Sequence, residues 1–168
     1  MNGLRLWHDF FMVVGPSAAT LIGLVFVVAT LGTTSLQRID RSDMSYYITP
    51  TFVHFSAVLG ISTVAVTPLG TSAIGVIAGC ISLWGLIDTL VAARRGPASH
   101  NPTRNEPLWF SVLPLMGYIL TLLASTLLVL APPYAATVLM AGLVLLLAAG
   151  LRNAWSMTVF ISTRENKP

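Results

Sequence analysis

The chain has 168 residues, 55% of them hydrophobic and only 9% charged, and its mean hydropathy is +0.80; that balance excludes an ordinary soluble domain and leaves no segment for a soluble catalytic unit. The net charge of +3 comes from basic residues scattered at the ends of apolar runs with no dense patch, which excludes a nucleic-acid surface and points to lipid and topology instead. A single cysteine, Cys80, lies within an apolar run, so one chain has neither a disulfide framework nor a thiolate metal site, and the residue reads as a small core side chain.

A bilayer core takes about 20 apolar residues per helix, and the sequence supplies five such runs, predicting an all-α membrane bundle in a single domain over residues 1–168. The first span covers residues 10–34. It is too long for the apolar core of a signal peptide and has no small-residue cleavage site, so it is a retained span. Asp9 is placed to cap it, where the helix dipole favours an acid. Gly15, Ala19 and Gly23 mark one face for close helix packing, and Ser17, Thr20, Thr30 and Thr33 are candidates to line a narrow polar path, although such hydroxyls also bond back to their own helix. Pro16 removes a backbone hydrogen bond and kinks the span.

A polar loop over 35–49 leads to the second span, 50–67, which carries His54 and a stripe of Ser56, Gly60, Thr63 and Thr67. Pro68-Leu69-Gly70 then forms a tight reversal. The third span, 71–93, presents Thr71, Gly75, Ala78, Ser82, Gly85 and Thr89 at helical spacing, with Gly75 and Gly79 forming a GxxxG pair suited to helix contact. Its one acid is Asp88. The loop 94–107, "RRGPASHNPTRNEP", is too polar and too broken for lipid. The fourth span, 108–131, contains Pro114, and Pro132-Pro133 turns the chain into the fifth, 134–155, which ends near Arg152 and Asn153. The tail, 156–168, is polar and expected to fray.

Merging the second and third runs would give four spans, but five segregate the charges. Arg38, Arg41, Arg94, Arg95, Arg104, Arg164 and Lys167 then share one side and Arg5 alone the other, as the positive-inside rule requires. The amino terminus is thereby expected outside and the carboxyl terminus in the cytoplasm of a bacterial inner membrane. Trp7 and Tyr134 fall at the outer interface, and Tyr46, Tyr47, Trp109 and Trp155 at the inner one. Trp84, deeper, calls for a partner or a packed slot.

Counting ~1.5 Å per residue from the outer reversals puts Asp88 and Arg152 each about 27 Å down and His54 about 21 Å down. An intramembrane charge costs about 2.5 kcal/mol or more at mid-depth, so an Asp88–Arg152 pair is the economical arrangement, with His54 and Asn153 completing the layer. As structure, this layer clasps helices at the membrane edge. As function, it is a gate at the cytoplasmic mouth, since histidine changes charge near neutral pH. No nucleophile with a base at depth, no histidine pair for haem, no CxxC and no phosphate-cradling loop occurs, so neither enzyme activity nor a cofactor is expected, and no metal.

The stretch "LWHDFFMVVGPSAATLIGLVFVVATL" and the closing "GLRNAW" resemble small bacterial polytopic membrane proteins that begin W-x-x-F-F, continue G-x-x-A-A-x-x-x-G-L-x-F-V and end R-N-A-W. The resemblance covers the first and last spans and brings no activity with it. "SAATLIGLVFVV" is also loosely similar to the pore-lining first helix of Orai-type calcium channels, but no acidic residue stands at the mouth where calcium selection would need one. Five short helices leave little room for an internal substrate, and their small-residue faces exceed what the chain itself uses, so a homo-oligomer in contact with membrane lipid is expected. A small ion channel gated near the His54, Asp88, Arg152 and Asn153 layer is the leading reading. The alternative is a non-conducting regulatory or assembly subunit bound to another membrane protein.

Overall fold

A computed structural model of the chain describes residues 3–35, 41–95, 106–130 and 133–165. Every element there is helical: α1 (Gly3–Leu6), α2 (His8–Ser35), α3 (Arg41–Ala65), α4 (Thr71–Arg95), α5 (Glu106–Leu130) and α6 (Ala135–Glu165). A helix satisfies its backbone polar groups internally, which apolar surroundings demand. Four stretches are long and apolar enough to cross a membrane: His8–Thr30, Thr71–Arg94, Ser111–Leu130 and Ala135–Ser156. The apolar part of α3, Thr49–Ala65, is shorter.

Helix ends follow the breakers. After α3, the Thr67 amide turns back to the Val64 carbonyl at 3.2 Å, Pro68 stops the helix, and the Gly70 carbonyl accepts the Ile74 amide at 3.0 Å to start α4. Between α5 and α6, the Tyr134 carbonyl accepts the Val138 amide at 3.2 Å and opens the last helix.

Two boundaries depart from expectation. Helix α3 begins at Arg41, inside the loop expected over 35–49, and α6 continues to Glu165 through most of the expected tail. Hydropathy marks only the part of a helix that hydrocarbon solvates, and a polar extension can stay helical in water or at the interface. Proline-interrupted α3 passes through Pro50 without ending.

The helices pack antiparallel in sequence order, as the registers show. A Cβ added to Gly75 would approach the Ser125 carbonyl at 2.7 Å and Leu128 Cβ at 3.1 Å, whereas at Gly85 it would overlap the Tyr118 ring; α5 numbers fall as α4 numbers rise. The same inverse register links Gly117 to Leu146 and Gly142 to Thr121 on α5 and α6, while Gly150 meets Phe55 between α6 and α3 and Gly60 meets Ile81 between α3 and α4. Helices α3, α4, α5 and α6 therefore close a four-membered ring with α3 diagonal to α5, and α2 lies against the outside of α3. The short α1 folds onto α6, burying Leu4.

The ring is filled by Phe55, Val58, Ile61, Leu139, Leu143 and Leu146, all at most 1% exposed. Leu24, Phe26, Val76, Leu83, Ile119, Leu123 and Val144 point outward and stay exposed. That much apolar surface is unsuited to water and suits a lipid surround.

Candidate functional site

The polar centre of the bundle is a histidine and a tyrosine meeting across the diagonal. His54 of α3 and Tyr118 of α5 are 1% and 0% exposed, and His54 Nδ1 lies 3.0 Å from the Tyr118 hydroxyl. Their rings tilt against each other with centroids 5.5 Å apart. Tyr118 reaches the centre because Gly85 of α4 leaves its side-chain position empty and the tyrosine ring occupies that space. Any side chain at 85 would displace it. Asp88, three residues further along α4, is half-buried and stands within electrostatic reach of Tyr118.

Several polar atoms of the bundle, one of them in this centre, are sealed from the surroundings. His54 Nε2, Ser62 Oγ, Ser82 Oγ and Asn153 Nδ2 are buried and make no hydrogen bond to the protein among the described residues. Such atoms are rare in folded proteins and mark sites of internal water, chemistry or strain. If the tyrosine O–H donates to Nδ1, then Nε2 carries a proton with no acceptor; if Nδ1 donates to the tyrosine oxygen, Nε2 is a bare acceptor. Chemically the group can hold a water or pass a proton between His54 and Tyr118, with Asp88 biasing the charge.

The structure places the expected layer in two parts. His54 and Asp88 flank Tyr118, and Asn153 is 2% exposed on the inner face of α6. Arg152, one residue earlier, turns outward onto a cleft shared by α2, α3 and α6. Helices α4 and α6 stand on the other diagonal of the ring and form no packed face, and His8 and Asp9 pair at 3.5 Å on the surface. Tyr118 thus stands against His54 and within electrostatic reach of Asp88.

Of the candidate path-lining residues, Ser17 bonds back to the Val13 carbonyl at 2.8 Å, Thr20 to that of Pro16 at 3.0 Å and Thr30 to that of Val27 at 2.9 Å, all on exposed positions. The side chain of Thr33 lies outside the described residues. Of the candidate packing residues, Gly15 faces Ser62, and Gly75 and Gly79 face Ser125, Gly75 at the closer approach. Ala19 is exposed, and among the described residues no other element comes within 4 Å of a Cβ at Gly23. Trp84 is 56% exposed on the outside of α4, in contact with surroundings rather than in a packed slot.

Tyr118 is the residue that sequence reasoning passed over. The signal was present: a tyrosine ten residues into an apolar span that starts at Leu108 must find a partner for its hydroxyl, and ~1.5 Å per residue puts it level with His54. Gly117, Gly142 and Gly150 were likewise passed over, because isolated glycines lack the GxxxG spacing yet each lies in tight interhelical contact.

Among the described residues, no group of three or more His, Cys, Asp or Glu side chains converges as a metal site would require. Comparison with protein-family models, with curated proteins and with solved structures finds no match.

Proposed function

We propose that this is an integral membrane protein crossing a bacterial inner membrane five times, amino terminus outside, and that it acts as a non-conducting regulatory or assembly subunit that pairs with other membrane helices through α2. One observation carries this reading. Thr20, Gly23 and Thr30 line the exposed face of α2, with Ser17 at its margin, opposite the buried Phe11, Ala18 and Val25 that pack on the bundle. Small residues on an exposed helix face permit the close backbone approach by which helices associate in lipid.

The channel reading has a specific observation of its own, since the hydroxyls of Ser17, Thr20 and Thr30 would line a path between copies. Against it, His54 and Asn153 are enclosed within one chain, away from that path, and the hydroxyls already bond to their own helix. Tyr118, Phe55 and Leu143 are fully buried inside the ring, which supports a packed interior over a pore among the described residues of one chain.

Particle mass in detergent and ion flux in liposomes separate the two. The subunit reading expects no dissipation of imposed cation or anion gradients by the purified protein. Flux from a closed ring of identical chains would overturn it in favour of the channel.

A further inference from the structure

His54 and Asn153 stand on neighbouring helices of the ring, α3 and α6, and each holds one buried nitrogen, Nε2 and Nδ2, that makes no hydrogen bond among the described residues. At 1% and 2% exposure, neither is reached from outside the bundle. Their levels follow from the contact of Gly150 with Phe55. Asn153 is three residues past Gly150, and His54 is one residue before Phe55 on a helix running the other way, so ~1.5 Å per residue puts them about 3 Å apart along the bundle. Their directions agree as well. Seven residues after Leu146, Asn153 lies within about 20° of it on the helical wheel, and Leu146 packs on Gly117 of α5; Asn153 therefore shares the inner face of α6 that looks onto the His54–Tyr118 diagonal. Helical side chains lean toward the amino end of their own helix, which on these opposed helices inclines the two toward each other.

Whatever lies between these atoms must satisfy both. Asn153 Nδ2 is a donor only, so it needs an acceptor and repels a cation; His54 Nε2 donates or accepts according to its tautomer. Water is the small neutral group that accepts from one side and donates to the other, and buried water is common where two or more sealed polar groups face one another. A water that accepts from the amide still has its own hydrogens to place, which a bare Nε2 accepts and a protonated Nε2 does not. We infer that one internal water bridges Asn153 Nδ2 to His54 Nε2, and that His54 is held in the tautomer with its proton on Nδ1. The Nδ1 proton is then donated to the Tyr118 oxygen across the 3.0 Å contact. The tyrosine hydrogen turns toward Asp88, whose carboxylate stands within electrostatic reach and attracts it. Hydrogen bonds thereby run in one direction from α6 through α3 to α5, which fixes the imidazole as an inward-facing acceptor and makes the water a tie between helices that the apolar core alone does not join at this level.

The test is nuclear magnetic resonance on the full chain in detergent micelles, labelled with 15N-histidine and carrying His8→Gln and His100→Gln so that His54 is the sole histidine. Correlations of the ring nitrogens with the carbon-bound ring hydrogens should show Nδ1 protonated and Nε2 bare, and a rotating-frame cross-peak of dipolar sign should join the water line to His54 Hε1. Asn153→Leu, close in volume and without a donor, should remove that cross-peak and leave the tautomer and the far-UV circular dichroism unchanged. A proton on Nε2 in the parent protein overturns the proposal. So does the absence of a water cross-peak there, or a cross-peak that keeps its full intensity in Asn153→Leu. The first two outcomes are read on the parent chain alone, so they decide the matter even where the leucine variant fails to fold.

Discussion

Replacing Tyr118 with phenylalanine removes one oxygen from the centre of the bundle and leaves the ring against Gly85. The 3.0 Å contact with His54 Nδ1 is lost, and with both side chains at most 1% exposed no solvent replaces it. An orphaned buried polar atom costs about 1–3 kcal/mol, while interhelical hydrogen bonds in membranes average about 0.6 and reach about 1.7 kcal/mol, because separated helices find other partners. The burial places this bond at the upper end of the membrane range, so Tyr118→Phe should destabilise by about 1–1.7 kcal/mol. His54→Leu should likewise strand the tyrosine hydroxyl, and the double variant, with neither polar group, should recover about 1 kcal/mol relative to the sum of the singles. The measurement is unfolding in mixed micelles by titration with a denaturing detergent, followed by far-UV circular dichroism for all four proteins. Additive losses, or a Tyr118→Phe protein within about 0.3 kcal/mol of the parent, less than the scatter tolerated for independent sites, would refute the bond as the tie between α3 and α5.

Gly85→Ala places a methyl group in the Tyr118 ring and should cost about 1–3 kcal/mol by overpacking; Tyr118→Leu in the same chain should restore part of that loss in the same titration. Gly23→Leu meets open space, so stability should hold while the particle mass in detergent falls if α2 is the association face; an unchanged mass in an associating protein argues for another face. In a Cys80→Ala background, Leu69→Cys and Lys167→Cys should label with an impermeant maleimide from opposite sides of sealed vesicles, Lys167→Cys from the side that is cytoplasmic in the cell. Labelling of both from one side contradicts five crossings.

Much of the helical framework was legible because hydrocarbon solvation leaves so direct a mark on composition. Runs of about 20 apolar residues bounded by Pro68-Leu69-Gly70 and Pro132-Pro133 locate the helices to within a few residues. The polar ends of α3 and α6 were not legible, since hydropathy is silent about a helix that has left the apolar layer. Gly75 and Gly79 were recognisable as contact residues from their spacing, but their partner, Ser125 on α5, depended on which neighbour α4 faces. Gly23 shares the same pattern on α2, yet a Cβ there meets nothing within 4 Å among the described residues.

The polar layer divides along the same line. Counting rises from the reversals put His54, Asp88 and Arg152 at similar depth, because depth in a bundle of antiparallel helices follows from sequence distance alone. Azimuth does not. Which of two charges at one level meet is decided by the rotation of each helix about its axis and by the order of helices around the ring, and both are settled by side-chain volume at distant contacts. The void at Gly85 admits Tyr118, Tyr118 reaches His54, and Asp88 falls beside that pair. Arg152, one residue from the inward Asn153, lines the cleft with α2. The sequence by itself determined which helices are apolar and how far along them each polar group stands; tertiary packing alone decided which of those groups face one another.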